Sequence, residues 1–517
     1  MKTAPCRVAF WVVVLGYCLL YAPYGINETD GGFLSGLAWQ LLQGKQLYTE
    51  IVYVRPPLPV WLRALELQLL PEQYAILGER WIWYFKTAIY SLLAARLLAG
   101  RAQAWWWALP GFIVSAHNYP ACAWHTTDGI FFAVLSFYVL FSGKKEQYLT
   151  IRLVLSALLL LGSALSKQSF FPLIPVWAAL LWMQFGFGAF WRGTLAFSFF
   201  STLFFLYLQQ QGSLQAYWAL SSGAAGTEQA IRHGLLDYFD IPLPLVLGSG
   251  ALIALAWWFR RRAYLWILAI FLMASYAWQV YQRQDFTVPF GQSRILFWMG
   301  AAWSVYAFYK QKDLKPLALM AVCWAAAVSW GYNLPILLAM PWVYGFGQWA
   351  MQLPAPYPAL LRWARPGGNL LLLLLFFYAA QFVYRDGRRS EMIFAGGDIF
   401  PALTGIRMDA ESVDKYRELQ LLAQEYPNFA TLPAFPQAHL LTQTKAPLPL
   451  DWVVQREMNS ATPQVREAFY RQKPVLLLEK KYLEAIKIHE EYALLREILE
   501  GAAPLGEHQF FVLYQVR

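Results

Sequence analysis

Two ionisable residues near the start of the chain stand where they can do chemistry. Asp30 lies in Asn27-Glu28-Thr29-Asp30-Gly31-Gly32-Phe33, just past the first apolar run, and Arg55 lies in Val54-Arg55-Pro56-Pro57-Leu58. A carboxylate at such a boundary can take a proton from a hydroxyl. A guanidinium offers a fork of donors that keeps its charge, which suits a phosphate, and two prolines stiffen the chain beside it. A plainer account exists for each: an Asp before Gly-Gly-Phe-Leu suits a helix N-cap, and the prolines suit the start of another helix. Three more residues qualify. Asp128 opens an apolar run in His125-Thr126-Thr127-Asp128-Gly129, Lys167 lies in Ser166-Lys167-Gln168, and Arg294 lies in Gln292-Ser293-Arg294. An ionisable group at the end of such a run is a functional candidate by default. The helix dipole for Asp128 and snorkelling for the two cations are the structural alternatives.

The elements that must position these residues are membrane-spanning helices. Of 517 residues, 58% are hydrophobic and only 14% charged, and the chain carries 25 Trp, 30 Tyr and 36 Phe. This is too apolar for a soluble protein of ordinary composition, and aromatics are favoured at bilayer interfaces. The formal charge of +10 sits mostly in short loops between apolar runs, which argues for helix orientation rather than nucleic-acid binding. Cys6, Cys18, Cys122 and Cys323 have neither metal-ligand nor paired spacing. Runs approaching the roughly 17 to 25 residues of a span lie at 8–24, 80–99, 103–117, 121–141, 151–166, 169–187, 193–210, 241–259, 263–281, 292–309, 315–331, 334–350 and 369–384. The first, with no cleavage site behind it, reads as a retained signal anchor. Every second loop is basic: Arg101, Lys144 and Lys145, Arg192, Arg260 to Arg262, Lys310 to Lys315, then Arg362 and Arg365. The alternation predicts a cytoplasmic N-terminus, about thirteen spans and a C-terminus outside.

The first outward loop, about 25–79, is long and half-apolar; Gly32–Gly44 and Leu58–Leu70 read as short interfacial helices. Beyond Tyr384 the composition turns charged. Residues 385–517 read as a small soluble α/β domain, with helices at Ser412–Glu425 and Lys480–Leu499 and strands at Pro474–Leu478 and Gln509–Val516. No glycine-rich phosphate loop follows a strand, so a soluble nucleotide-sugar site is unsupported.

The first loop resembles that of the GT-C glycosyltransferases that use polyprenyl-phosphate sugars, the protein O-mannosyltransferases and lipid A aminoarabinose transferases (families 39 and 83). Their pattern of an acid after helix 1, a small-residue helix ending "LL-x-G-x-x-x-Y" and a "Lys/Arg-Pro-Pro-Leu" is matched by Asp30, Leu41-Leu42-Gln43-Gly44 with Tyr48, and Arg55-Pro56-Pro57-Leu58. The resemblance implies a GT-C fold: residues 1–384 as the transmembrane catalytic domain and 385–517 as the non-cytoplasmic one. It implies an inverting transferase moving a sugar from a polyprenyl-monophosphate donor to a hydroxyl of a lipid, glycan or protein of the cell envelope. Asp30 would be the base, Asp128 a second acid, and Arg55, Lys167 and Arg294 the phosphate contacts. Glu28, Tyr53 and His125 are further substrate-binding candidates. Gly31 stands where the family's second acid is usual, and Val54 where some relatives have a metal-binding acid, so no metal or other cofactor is carried over. Short loops and the absence of retention signals favour a bacterial inner membrane. The alternatives are a lipid-linked oligosaccharide ligase or polymerase and a transporter or flippase of lipid-linked glycans. A transporter predicts polar residues in mid-bilayer, whereas these candidates cluster at outward helix ends.

Overall fold

The computed structural model describes residues 3–118, 121–143, 148–222, 234, 236–241, 243–259, 267, 271, 290–330 and 387–517. Up to residue 330 it is helical. The long helices are α1 (Thr3–Leu20), α4 (Ala75–Leu98), α5 (Arg101–Asn118), α6 (His125–Phe141), α7 (Leu149–Ala164), α8 (Leu173–Phe185) and α9 (Phe187–Gln210). Between α1 and α4 lie α2 (Asp30–Leu42) and α3 (Leu58–Leu69); after α9 come α10 (Leu214–Ser221), α11 (Leu243–Phe259), α12 (Phe290–Gln311) and α13 (Lys315–Trp330). The two interfacial helices expected in the first loop are α2 and α3. The expected spans at 334–350 and 369–384, nearly all of 263–281, residues 223–233 and 235 of the loop at 211–240, and most of the loop at 282–291 lie outside the described residues.

Small and hydroxylated side chains let these helices approach. Ser136 Oγ donates to the Ser156 carbonyl at 2.8 Å, and Trp177 Nε1 donates to Ser156 Oγ at 2.8 Å, joining α6, α7 and α8. Phe10, Trp83, Phe112, Phe137, Phe170 and Trp177 fill the buried interior of the helical region. Gly129 in α6 is needed there, because a Cβ would lie 2.2 Å from the Phe170 ring. Among the described residues α9 is the helix long and apolar enough to cross a membrane by length and composition. Its Leu195, Phe199, Leu203 and Leu206 point outward, exposed, as lipid-facing side chains would. Shorter apolar helices include Pro5–Leu20, His125–Phe141 and Leu149–Ala164.

Residues 387–517 form an α/β unit. Its main sheet has the order β3-β4-β6-β5, with β3 (Phe429–Leu432) parallel to β4 (Val475–Glu479) and β6 (Phe511–Gln515) antiparallel to both β4 and β5 (Ala503–Glu507). A two-residue pair, β1 (Phe394–Ala395) with β2 (Arg407–Met408), precedes it. β4 is central and buried along its whole length, which its run Val-Leu-Leu-Leu anticipates. The expected strands at 474–478 and 509–516 thus correspond to β4 and β6, and the helix at 412–425 to α14 (Ala410–Glu425), capped by Asp409 through the Ser412 N–H at 2.7 Å. The single helix expected over Lys480–Leu499 is instead broken into α18 (Leu483–Ile488) and α19 (Ala493–Gly501). His489 is extended, and Arg496 turns back to donate to the carbonyls of Ile486 (2.9 Å) and His489 (2.7 Å). That guanidinium satisfies the end of α18 and holds the break. Three short helices precede them, α15 (Ala438–Thr442), α16 (Gln455–Met458) and α17 (Thr462–Gln472).

The first loop is clasped by this C-terminal unit. Phe33, Leu34 and Leu37 of α2 share one apolar cluster with Leu450, Val465 and Leu476. Gly36 is a contact point: a Cβ there would sit 2.2 Å from the Pro436 carbonyl oxygen, so α2 meets the backbone of the loop before α15 directly. Polar contacts surround this apolar contact. Trp39 Nε1 donates to the Thr444 carbonyl at 2.9 Å, and Val52 N–H to the Pro449 carbonyl at 2.9 Å. Lys45 Nζ donates to Gln40 Oε1 and to the Ala446 and Leu448 carbonyls at 2.9, 2.6 and 3.1 Å. Gln40 Nε2 in turn donates to Asp451 Oδ2 at 2.8 Å.

Burial pushes the Asp451 carboxyl up to about 7, against the opposing pull of Lys45 and Gln40. The protonated form is therefore favoured on folding, and stability from this group is complete below the ordinary value of 3.8 and lost as pH rises through about 7. Asp451→Asn is expected to flatten the pH dependence of melting temperature between pH 5 and 8 relative to the unsubstituted protein, measured by thermal unfolding in detergent across that range.

Candidate functional site

The site is built where the first loop, the starts of α6 and α8 and the C-terminal unit converge. Asp30 is the first residue of α2. The acceptor for its amide is Asn27 Oδ1 at 3.1 Å, and the N-cap position, the plainer account of Asp30, falls to Thr29 instead. Past α2 the chain turns at Tyr48, which adopts a left-handed φ of 74° and is buried. Tyr48 Oη donates to the Arg55 carbonyl at 2.9 Å and sets the level of the Arg55 backbone. Pro57 then leads into α3, as the Pro-Pro pair anticipates.

Arg55 is directed into the interface rather than toward water. Its guanidinium grips Glu457 of α16 as a fork, Nη1 to Oε2 at 2.5 Å and Nη2 to Oε1 at 2.7 Å. It also stands 5.3 Å from the centre of the Phe33 ring. The Arg55 side chain is 18% exposed and that of Glu457 3%. Burial raises the Glu457 carboxyl, but Arg55, Arg456 and Lys167 outweigh it and leave it below the usual carboxylate range. Arg55 also feels the charge of Asp30.

Lys167 is brought to the same place by backbone contacts between the loop after α7 and the Arg55 segment. Gln168 Nε2 donates to the Val54 carbonyl at 2.6 Å, and Leu58 N–H to the Leu165 carbonyl at 3.1 Å. Burial and the neighbouring Arg55 charge hold the Lys167 ammonium well below its ordinary value, with Glu457 opposing. His125, at the start of α6, is fully buried against Trp124, with ring centres 4.2 Å apart. Neither of its ring nitrogens has a hydrogen-bond partner among the described residues, and it feels the charges of Lys167 and Arg55. Tyr53 is likewise buried with an unpartnered hydroxyl among the described residues, held above its ordinary pKa chiefly by burial. Asp30, Tyr53, Arg55, His125 and Lys167 therefore form one electrostatic cluster, with Glu457 as a sixth member.

The remaining candidates are held in ion pairs of their own, although Tyr53 also feels the charge of Asp128. Asp128 pairs with Lys86 of α4 at 2.9 Å, and Lys86 pairs with Glu66 of α3 at 3.1 Å. Glu28 joins Lys415 at 2.6 Å and Lys481 at 3.0 Å, both of the C-terminal unit. Burial would raise Glu28, but these two ammoniums outweigh it, and the carboxyl stays below the usual range. Arg294, at the start of α12, pairs with Asp240 Oδ2 at 3.1 Å. A phosphate bound at Arg294 would compete with that carboxylate. Among the described residues no group of three or more His, Cys, Asp or Glu is arranged to hold a metal ion.

Beneath the cluster lies a buried ion-pair network that sequence reading did not anticipate. Arg63 of α3 is fully buried; it reaches Glu79 of α4 at 2.6 Å and Glu66 at 3.3 Å, and donates to Ser35 Oγ of α2 at 2.9 Å and the Ala75 carbonyl at 3.0 Å. Glu79 accepts from Ser35 Oγ at 3.0 Å and from the Ala123 N–H at 2.6 Å. Arg80 donates to the carbonyls of Ala22, Tyr24 and Gly25 at 2.7, 3.1 and 2.7 Å, satisfying the loop that follows α1. The signal for Arg80 and Lys86 was present: charges inside an apolar run. For Glu457, 402 residues from Arg55, no local signal exists.

The sequence matches no family model, and no curated protein matches it. Solved structures do. The oligosaccharyltransferase of Archaeoglobus fulgidus, in its apo form, is 12% identical with a TM-score of 0.49, over 100% of this chain and 74% of that one. ArnT from Cupriavidus metallidurans, also apo, is 11% identical with a TM-score of 0.44, over 99% of this chain and 98% of that one. A third, archaeal AglB in complex with an inhibitory peptide and a dolichol-phosphate, is 12% identical with a TM-score of 0.46, over 100% of this chain and 74% of that one. The likeness runs to the same broad class of enzymes as the first-loop resemblance. At TM-scores below 0.5 it remains a likeness, and function is argued from the site.

Removing one partner of the buried Arg63–Glu79 pair strands the other charge. Arg63→Met is expected to cost about 3–5 kcal/mol of stability, read as a fall in thermal midpoint. Arg63→Met combined with Glu79→Leu should recover much of that loss, because both charges then leave together.

Proposed function

We propose that the chain is an inverting membrane glycosyltransferase of GT-C type that moves a sugar from a polyprenyl-monophosphate donor to a hydroxyl acceptor on the non-cytoplasmic side. The observation that carries this reading is the gathering of Arg55 and Lys167 beside Asp30, at the outward ends of apolar helices. Two cations at that level suit a lipid-linked phosphate, and the acid beside them suits a base.

In the reaction Asp30 takes the proton of the acceptor hydroxyl as its oxygen attacks the anomeric carbon from the face opposite the phosphate. The bond from that carbon to the phosphate oxygen breaks, and the polyprenyl phosphate leaves with the electron pair. Arg55 and Lys167 hold the growing charge on the phosphate, as preorganised cations do at a leaving group. A phosphate leaving group needs no general acid. His125 and Tyr53, with their unpartnered buried polar atoms, offer hydrogen bonds to the sugar or phosphate. Asp128 acts through its pair with Lys86, orienting the acceptor side.

A transporter or flippase of lipid-linked glycans is the rival from another class, and a ligase of longer lipid-linked glycans the rival among enzymes. Purified protein in lipid, given radiolabelled polyprenyl-phosphate monosaccharides and membrane extract from its own source, separates them. Label should pass to a new acceptor. Asp30→Asn should slow the transfer by about 10²–10⁴-fold while binding donor, and Arg55→Ala should weaken donor binding roughly tenfold or more. Label crossing the bilayer without transfer would favour the transporter.

A further inference from the structure

The fork of Arg55 that the proposed reading assigns to a phosphate is already filled. Both terminal nitrogens of the guanidinium are bonded to the carboxylate of Glu457, in the two-point geometry a phosphate would use. Three further N–H donors of the guanidinium lie outside this fork, but a phosphate that takes the fork itself must displace the carboxylate, and two anions brought together in a largely buried place repel.

The element carrying Glu457 suits an exchangeable ligand. α16 is a single turn of four residues, ended by Asn459 at a φ of 47° with ψ of −121°. That positive-φ backbone is strained for a residue with a side chain. The turn that follows is held to the end of α10 by side chains, Asn459 Nδ2 to the Leu220 carbonyl at 3.3 Å and Ser460 Oγ to the Ala219 carbonyl at 2.9 Å. Lys167 and Arg456 both lend positive charge to Glu457, so the carboxylate keeps a cationic setting once Arg55 is given up.

We propose that Glu457 belongs to the donor site, as the counter-ion that the C-terminal unit supplies to Arg55 in the donor-free protein and that the donor's phosphate displaces. It is a positioning residue: it acts through Arg55, holding the guanidinium extended in the interface and setting how tightly a phosphate must bind to take it. This rests on the proposed role of Arg55 as a phosphate contact. It adds that donor binding and the hold of residues 455–461 on the first loop are linked, each weakening the other by the same factor.

The test is a titration of undecaprenyl phosphate, without sugar, onto the full chain in nanodiscs. Glu457→Gln keeps the shape and one acceptor but removes the competing charge, and should tighten binding by about tenfold. In an Arg55→Ala background the same substitution should have a clearly smaller effect, since most of it passes through Arg55. Unchanged or weaker binding by Glu457→Gln, with the unsubstituted protein binding well, would overturn the proposal and leave the phosphate role of Arg55 standing. Failure of the unsubstituted protein to bind would sink both. A second measurement needs no variant: amide exchange in residues 455–461 should rise when undecaprenyl phosphate is added, and an unaltered exchange pattern with the lipid bound would overturn the exchange.

Discussion

The buried pair of Arg63 and Glu79 is the constraint from which the site is laid out. It joins α3 to α4, takes in Ser35 of α2 and the Ala123 amide before α6, and so fixes four separate pieces of chain against one another. Two charges removed from water hold their place only if every remaining donor and acceptor is met. Here Arg63 is met by Glu79, Glu66, Ser35 and the Ala75 carbonyl, and the Glu79 oxygens by Arg63, Ser35 and an amide. Geometry of that kind tolerates little sliding. Asp30 at the head of α2, Arg55 just before α3 and His125 at the head of α6 thereby inherit a common frame.

Much of this was legible. Apolar run lengths marked α4, α6, α7 and α9, and the Asp-Gly-Gly-Phe and Arg-Pro-Pro-Leu segments marked where α2 and α3 begin, because caps and prolines act over a few residues. From sequence, Asp128 and Arg294 are expected at the same level as Asp30, Arg55 and Lys167; in the fold Arg294 is paired with Asp240 and Asp128 with Lys86. Other features were not legible, for a physical reason. Glu457 sits in a solvent-domain sequence with no unusual neighbours, and only tertiary folding brings it to Arg55. Glu28 reads as a substrate-binding candidate, yet two lysines nearly four hundred residues or more away claim it. The break at His489 depends on where Arg496 finds carbonyls, a contact no helical periodicity encodes. Strand β5, with Pro504 and Gly506, has the wrong composition for a strand and exists because β6 offers it an edge.

The C-terminal unit is therefore part of the helical region's architecture rather than an appendage. It buries α2 through Gly36 and Pro436, neutralises Glu28, and supplies the carboxylate on Arg55. A first loop that was half-apolar and half-charged in sequence has both halves accounted for: its apolar face fills the cluster with Leu450, Val465 and Leu476, and its polar groups meet carbonyls and side chains of residues 444–451.

The closeness of Gly36 to Pro436 also bears on how the protein is made. A ribosome delivers residues 30 to 167 long before residue 436, and N-terminal segments fold first where they can. This first loop has no such freedom, since the surface that covers α2 and the acid that answers Arg55 are both encoded in the last quarter of the chain. During synthesis its apolar face must wait on lipid or on a chaperone, and its arginine must wait on water. The cluster is assembled only once the C-terminal unit has folded against the first loop, so a chain truncated before that point carries most of the candidate residues but not their enclosure.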